Sequence, residues 1–350
     1  LLRGLTELDP GQHWVLKPRR IDGNLWSPGI RVGVRPGSEY HLTEYFGPIL
    51  GVMRAKSLAE AVSLQNAVEF GLTAGLHSLD PQEITYWLEN VQAGNVYLNR
   101  GITGAIVRRQ PFGGWKRSSV GTGTKAGGPN YLYALGHMEP DFSGALPRQV
   151  HIASEPLRRA RAVAGTMSVI NQGRFLRIIR GMDEAISKEF SVTHDPTNLQ
   201  VEKNVFRYRP VPNAVVRLAS DQSVGDLLAV VAAAVAVGST PVVSTALPVS
   251  KQMAEFFGEY DLKVVRETDA EFEGYLASHA TNRDGVRVRM IGGDSVALAE
   301  AVKGSVDVAI HDEPITACGR VEVLPFVLEQ AVSATNHRFG NPTRLLDGIL

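Results

Sequence analysis

The sequence predicts an α/β protein of two domains, with a parallel sheet covered by helices in the second. Its 350 residues suffice for two domains of roughly 100–200 residues each. Strand and helix patterns alternate between residues 213 and 332, which is typical of a parallel sheet. A stretch rich in glycine and proline, residues 134–147, precedes that part. We therefore predict one domain at residues 1–140 and another at 141–350, with a tail from 333 to 350.

Local signals place the elements of the first domain. Short extended runs alternate with proline and glycine over residues 14–34, as strands and turns do. Residues 57–60 form a capping box that begins one helix. Residues 80–81, an aspartate and a first-turn proline, begin a second helix, which ends at Gly94. Residues 95–99 are then expected to form a buried strand.

The second domain is predicted to begin with one or two amphipathic, arginine-rich helices over residues 156–190. Strands and helices then alternate, and glycine or proline separates several of them. The predicted strands are 214–218, 241–244, 262–265, 286–291 and 306–310, and the predicted helices are 227–237, 251–257, 271–278, 296–302 and 321–332.

Composition narrows the class of protein. The 36 basic and 36 acidic side chains balance, which argues against a nucleic-acid or anionic-membrane binder. A single cysteine excludes an intrachain disulfide framework and a cysteine-rich metal site. The longest apolar run, residues 227–237, is far shorter than the ~20 residues that span a bilayer. No histidine pair has metal-ligand spacing with a carboxylate third partner, so we expect no metal site. The single cysteine fits a reducing compartment, and we therefore expect a cytoplasmic protein.

Phosphate-binding motifs are missing from the places where they would be needed. A dinucleotide fingerprint requires glycines between a strand and the following helix, because the pyrophosphate sits at the helix amino terminus. Residues 219–223, which follow the predicted strand 214–218, contain no glycine. Residues 113–118 combine glycine, lysine and serine in the wrong order for a P-loop. The second domain is thus expected to bind no dinucleotide.

Four sets of residues each allow a functional and a structural interpretation. Cys318 precedes a predicted helix and is either a small buried side chain or an activated nucleophile. Residues 101–105 form either an anion-binding nest of backbone amides or a tight turn. Glu44 and Phe46 would face the same side of an extended segment, where they could bind a sugar diol and an aromatic ring. The alternative for this pair is a solvated glutamate beside a core phenylalanine. His337 is either a tail contact or a base.

Four segments resemble the aldehyde dehydrogenase superfamily in order and spacing: residues 44–48 (EYFGP), 71–78, 94–99 and 111–116 (PFGGWK). The run 99–114 more narrowly resembles the glutamate-semialdehyde (delta-1-pyrroline-5-carboxylate) dehydrogenases, especially those of bifunctional proline utilization A proteins, and 125–132 extends the match. The resemblance covers residues 1–136. Residues 150–350 are similar to the extra C-terminal domain of the longer proline utilization A proteins. The implied fold is the C-terminal part of an aldehyde dehydrogenase catalytic domain followed by a Rossmann-like, aldehyde-dehydrogenase-related domain without catalytic function.

This resemblance implies an oxidoreductase that converts L-glutamate γ-semialdehyde to L-glutamate with NAD in proline catabolism. In the family, a cysteine thiolate attacks the aldehyde, a hydride passes to NAD, and water hydrolyses the thioester. By resemblance, Glu44 holds the nicotinamide ribose hydroxyls and Phe46 packs near the nicotinamide ring. The amides of Gly104 and Ala105 bind the substrate's α-carboxylate, and Phe112 lines its aliphatic stem.

The family's nucleophilic cysteine, activating glutamate and nucleotide domain all precede the Glu44 motif. Here the 43 residues before that motif contain no cysteine. We therefore expect no catalytic residue in this chain, which would be an inactive fragment of a larger enzyme with an upstream catalytic segment. FAD is expected only if a proline dehydrogenase domain also precedes, and homo-oligomerisation is left open. The alternative is a non-catalytic, aldehyde-dehydrogenase-like scaffold or lid that assembles with a catalytic partner.

Overall fold

The structure is a computed structural model that describes the whole chain except residues 108, 120–122, 144, 146–148, 168–170, 220–222 and 280–284. The chain forms two compact units, one of residues 1–71 and 78–92 and the other of 72–77 and 93–350. This division does not follow the predicted domain boundary at residue 140, which stays a prediction. Among the described helices, none has the length and apolar character needed to cross a membrane.

The first unit is built on a three-stranded sheet. Its elements are α1 (Leu2–Thr6), β1 (His13–Leu16), β2 (Arg20–Asp22), β3 (Leu25–Trp26), β4 (Gly29–Val32), α2 (Glu39–Leu42), β5 (Ile49–Val52), α3 (Leu58–Asn66), β6 (Phe70–Gly71) and α4 (Pro81–Asn90). β4 pairs antiparallel with β1 and parallel with β5. Both predicted helix starts are confirmed: the Ser57 hydroxyl accepts the N–H of Glu60, and the Asp80 carboxylate accepts that of Gln82.

Arg31 is a buried charged residue of the first unit, with 2% of its surface exposed. Its guanidinium lies 3.9 Å from the ring centroid of Tyr40 and 4.6 Å from that of Trp14. It also donates to the Gln12 side chain at 3.0 Å and to the carbonyl of Gly4. A buried cation requires such partners. Because Arg31 contacts both the carbonyl of Gly4 and the ring of Tyr40, it holds α1 and this ring against the sheet.

The second unit contains two larger sheets. Its elements are β7 (Thr73–Leu76), β8 (Asn95–Leu98), β9 (Trp115–Lys116), a 3₁₀ turn (Tyr131–Leu135), α5 (Glu155–Ala164), α6 (Gln172–Ala185), a π turn (Ile186–Phe190), β10 (Glu202–Pro210), β11 (Ala214–Leu218), α7 (Val224–Ala236), β12 (Val242–Thr245), α8 (Lys251–Glu259), β13 (Val264–Arg266), α9 (Asp269–His279), β14 (Val286–Ile291), α10 (Ser295–Ala301), β15 (Val308–His311), α11 (Gly319–Val323), a 3₁₀ turn (Leu324–Phe326), β16 (Val327–Thr335), β17 (His337–Arg338) and β18 (Asn341–Pro342).

The predicted parallel sheet is confirmed. Its strands lie in the order β13-β12-β11-β14-β15, and every neighbouring pair is parallel. The apolar helix α7 is capped by the Ser223 hydroxyl, which accepts the N–H of Gly225, and its residues 227–234 are fully buried in the larger core. The glycine-free segment predicted to lack a phosphate cradle falls mainly on residues 220–222, which lie outside the described residues.

The helix predicted at residues 321–332 is wrong. Helix α11 ends at Val323, and β16 follows after a short 3₁₀ turn that contains Pro325. Proline has no N–H for a helix interior, and β16 instead pairs antiparallel with β10 and parallel with β8. The second sheet therefore has the order β10-β16-β8-β7. In it, β16 lies beside β8, although the two strands are more than 200 residues apart in the sequence.

Candidate active site

Glu44 and Phe46 lie in the first unit, between α2 and β5. Tyr45, which separates them, is fixed: its ring stacks on that of Tyr40 with centroids 4.9 Å apart, and its hydroxyl donates to Glu39 at 2.9 Å. Burial is the main reason that the pKa of Tyr45 is raised. Glu44 is exposed, and Phe46 has 89% of its surface exposed. Phe46 is thus not a core residue of this unit, and both side chains are open to a ligand.

Gly104 and Ala105 lie in an exposed segment of the second unit, between β8 and β9. Gly104 has a φ of +80°, a conformation that favours glycine, and a Cβ added there would have no atom within 4 Å. Among the described residues, no backbone group accepts a hydrogen bond from either amide. The two N–H groups are available to an anion, and both the nest and the tight turn stay compatible with this backbone.

Phe112 is 40% exposed, and the backbone on both sides of it is held. Its N–H and carbonyl pair with Ala126 through two hydrogen bonds of 3.0 Å. The buried side chain of Asn95, at the start of β8, accepts the N–H of Gly113 and donates to the carbonyl of Pro111, both at 3.1 Å. The ring of Phe112 therefore projects from a fixed backbone.

Lys125 and Glu329 are buried charges beside this segment. Lys125 Nζ donates to Asn95 Oδ1 at 3.1 Å and to the carbonyl of Gly113. Gly94 makes room for these contacts, because a Cβ there would lie 2.1 Å from the Gly113 oxygen and 2.6 Å from Nζ. Burial lowers the pKa of Lys125 to about 7, opposed by the charge of Glu329. Burial also raises the pKa of the Glu329 carboxyl.

The lowered pKa of Lys125 predicts that the chain becomes more stable as the pH rises above about 7. Between this folded value and the ordinary value of 10.5, the unfolded chain holds the additional proton, so deprotonation favours the folded state. The free energy of unfolding should rise by up to ~1.4 kcal/mol per pH unit in this window. The gain is lost as the pH falls from 10.5 towards about 7, and below that value Lys125 contributes no further change.

Urea denaturation at about pH 7, 8 and 9 measures this slope, and Lys125→Met should remove it. Equal slopes in the wild-type chain and the variant would contradict the prediction.

Cys318 is exposed at the amino end of α11, so it is not a small buried side chain. Its N–H donates to the Thr316 hydroxyl at 3.1 Å. Among the described residues, no side chain is hydrogen-bonded to its thiol, and thus no base is placed to activate it. His337, the other candidate outside the family segments, lies in the exposed hairpin β17–β18.

Cys318→Ala is therefore expected to leave turnover unchanged, within about twofold, in an enzyme that contains this chain. Steady-state kinetics with glutamate semialdehyde measure this, and thermal denaturation of the same variant separates any loss of stability. A loss of turnover well beyond the loss of folded protein would identify Cys318 as a nucleophile.

The predicted site residues divide between the two units: Glu44 and Phe46 belong to the first, and Gly104, Ala105 and Phe112 to the second. The sequence did not indicate the roles of three buried polar residues that hold the Phe112 segment: Asn95, Lys125 and Glu329. Lys125 falls in a segment that resembles the family. Glu329 lies 204 residues from Lys125, and no sequence pattern connects the two.

Comparison with known proteins supports the assignment of these segments. Residues 5–136, which contain all five predicted site residues, match the aldehyde dehydrogenase family. A 1-pyrroline-5-carboxylate dehydrogenase of Geobacillus sp. (strain WCH70) is 41% identical over 110 residues, 31% of this chain and 21% of the relative. The enzyme of that name from Bacillus thuringiensis (strain Al Hakam) is 42% identical over 113 residues, 32% of this chain and 22% of the relative. The chain thus spans about a fifth of the length of these relatives.

One solved structure resembles nearly the whole chain. Proline utilization A (PutA) from Corynebacterium freiburgense is 38% identical, with a TM-score of 0.70, and the match covers 97% of this chain and 31% of that one. These findings confirm the predicted resemblance and the α/β fold. The fold of nearly the entire chain is one that a PutA protein adopts, and residues 5–136 are similar to the aldehyde dehydrogenase family.

Proposed function

We propose that this chain forms part of the active site of a cytoplasmic enzyme that oxidises L-glutamate γ-semialdehyde to L-glutamate with NAD in proline catabolism. The observation that carries the proposal is in the second unit. Two exposed amides that have no backbone acceptor among the described residues, at Gly104 and Ala105, lie in one family-matched segment with Phe112, a partly exposed ring on a fixed backbone. An anion site close in sequence to an apolar side chain suits an aldehyde that carries a carboxylate.

The residues of this chain would bind and orient the two reactants. Exposed Glu44 and Phe46 fit the nicotinamide riboside of NAD, because a carboxylate accepts from ribose hydroxyls and an aromatic side chain packs against a ring. NAD, when bound, supplies the hydride acceptor. The amides of Gly104 and Ala105 would bind the α-carboxylate with about 1.5–3 kcal/mol per hydrogen bond. The nucleophilic thiol is proposed to come from polypeptide outside this chain.

Removing one amide donor tests the carboxylate site. In the assembled dehydrogenase, Ala105→Pro should raise the KM for glutamate semialdehyde by about tenfold or more, because proline has no N–H. An aldehyde that lacks the carboxylate is the matched control substrate, and its kcat/KM should change little. An equal effect on both aldehydes would overturn the assignment.

The isolated chain is expected to form no NADH from glutamate semialdehyde and NAD, since its one thiol is Cys318. Absorbance of NADH at several protein concentrations measures this. The positive control is the dehydrogenase in which the chain is joined to a segment carrying the nucleophilic cysteine. NADH formation by the purified 350-residue chain would contradict the prediction.

The second candidate function is a non-catalytic scaffold or lid, and the position of Cys318 outside the family-matched segment favours it. A scaffold makes no use of Glu44. In the assembled enzyme, Glu44→Gln should raise the KM for NAD if this chain binds the cofactor. An unchanged KM for NAD would favour the scaffold.

A further inference from the structure

Glu329 belongs to the C-terminal part of the chain, yet it contacts the segment that carries Phe112. We propose that Glu329 is a positioning residue: it fixes the loop formed by the described residues 111–119 and 123–130 and thereby sets the KM for the aldehyde. This inference rests on the proposed function, in which Phe112 lines the aliphatic stem of the substrate.

The carboxylate of Glu329 is buried on β16, and each of its oxygens accepts a hydrogen bond. Oε2 accepts the N–H of Lys125 at 2.5 Å, and Oε1 accepts from Asn130 Nδ2 at 2.7 Å. The backbone carbonyl of Glu329 accepts Trp115 Nε1 at 2.7 Å. One residue thus binds the loop at three points, and two of these contacts depend on its carboxylate.

Two sets of contacts connect Glu329 to the backbone of Phe112. Lys125 immediately precedes Ala126, whose backbone pairs with that of Phe112. The side chain of Lys125 also binds Asn95, which holds the residues on both sides of Phe112. Loss of the Glu329 carboxylate would leave the buried N–H of Lys125 without its acceptor, so the loop would have to move to find another.

Asn130 connects the loop to other elements of the second unit. Its Nδ2 donates to the Tyr208 hydroxyl on β10 at 2.9 Å, and its Oδ1 accepts from Arg320 Nε on α11 at 2.7 Å. The Tyr208 hydroxyl in turn donates to Glu189 of the π turn at 2.5 Å. Asn130 is fully buried, so its position is fixed by partners that lie far away in the sequence.

Amide hydrogen exchange on the full chain tests the structural step. Glu329→Ala should speed exchange at Phe112 and Ala126 by about tenfold or more relative to the amide of Val216 on β11. Glu329→Gln keeps one acceptor oxygen and should have a smaller effect. This variant replaces Glu329→Ala in the experiment if the alanine variant folds poorly. Val332→Ala, an apolar change at a buried position of the same strand, is the matched control. It should not speed exchange at Phe112 and Ala126 relative to the amide of Val216.

Kinetics of the assembled dehydrogenase test the functional step. Glu329→Ala and Glu329→Gln should raise the KM for glutamate semialdehyde, by about tenfold for alanine, with kcat and the KM for NAD changed by less than about threefold. Unchanged exchange, or an unchanged aldehyde KM in an active enzyme, would overturn the positioning role alone. A wild-type assembled enzyme without activity toward glutamate semialdehyde would overturn the proposed function and the aldehyde role of Glu329 together.

Discussion

Glu322→Ala is expected to lower the free energy of unfolding by about 3–5 kcal/mol, because it removes one partner of a buried ion pair. Glu322 and Arg289 are 1% and 3% exposed, and Glu322 Oε2 lies 3.0 Å from Arg289 Nη2. Glu322 Oε1 accepts both the N–H and the hydroxyl of Thr316, at 2.7 and 3.0 Å. Alanine would leave a buried guanidinium without its counter-charge and two donors without their acceptor.

Urea denaturation of the full chain measures this loss, and Glu300→Ala is its control. Glu300 is an exposed glutamate on α10, so its replacement should change stability by less than about 0.5 kcal/mol. The double variant Arg289→Met with Glu322→Leu should recover part of the loss, since an apolar pair leaves no buried charge unpaired. A loss below about 1 kcal/mol for Glu322→Ala would show that water reaches the guanidinium.

Gly319→Ala is expected to destabilise the chain by about 3 kcal/mol, because two backbones meet at this residue. A Cβ on Gly319 would lie 2.0 Å from the carbonyl oxygen of Gly181 on α6. A Cβ on Gly181 would in turn lie 2.0 Å from the carbonyl oxygen of Ala317. No side chain can rotate away from such a clash, so α6 and the start of α11 would have to separate, opening the packed core between them.

Gly258→Ala is the matched control for this variant. Gly258 lies in helix α8, and a Cβ there would have no atom within 4 Å. Alanine should therefore leave stability unchanged or raise it by about 0.5–1 kcal/mol through its better helix propensity. Thermal or urea denaturation of both variants gives the comparison, and a difference of less than about 1 kcal/mol between them would show that the two backbones separate at little cost.

The elements that the sequence predicted well are those with local causes. The strands at residues 214–218 and 286–291 begin and end where predicted, because buried strands are short apolar runs between turn residues. Helix α7 begins at Val224, directly after the capping residue Ser223, whose hydroxyl accepts the N–H of Gly225. The helix predicted over the residues of β16 is wrong, because the apolar residues of this strand fit either period and its pairing with β8 joins residues more than 200 positions apart.

The five predicted site residues were likewise identified from local features of the sequence. Motifs identified Glu44, Phe46, Gly104, Ala105 and Phe112, and the structure shows each of them exposed. Their assigned contacts with substrate and cofactor remain predictions, which the experiments on Ala105 and Glu44 test. Of the residues that hold Phe112 in place, Asn95 and Lys125 fall in segments that resemble the family, whereas Glu329 lies outside residues 5–136, which match the family.

The sequence by itself thus determined the α/β class, the parallel sheet, most helix starts and the resemblance of residues 5–136 to the aldehyde dehydrogenase family, because periodicity, capping and motif spacing depend on neighbours along the chain. Only the tertiary structure decided that β16 lies beside β8, that Gly181 and Gly319 bring two backbones together, and that Glu329 holds the loop of Phe112. The physical reason is that each of these depends on burial and contact between residues far apart in the chain. Local propensity carries no information about such pairs.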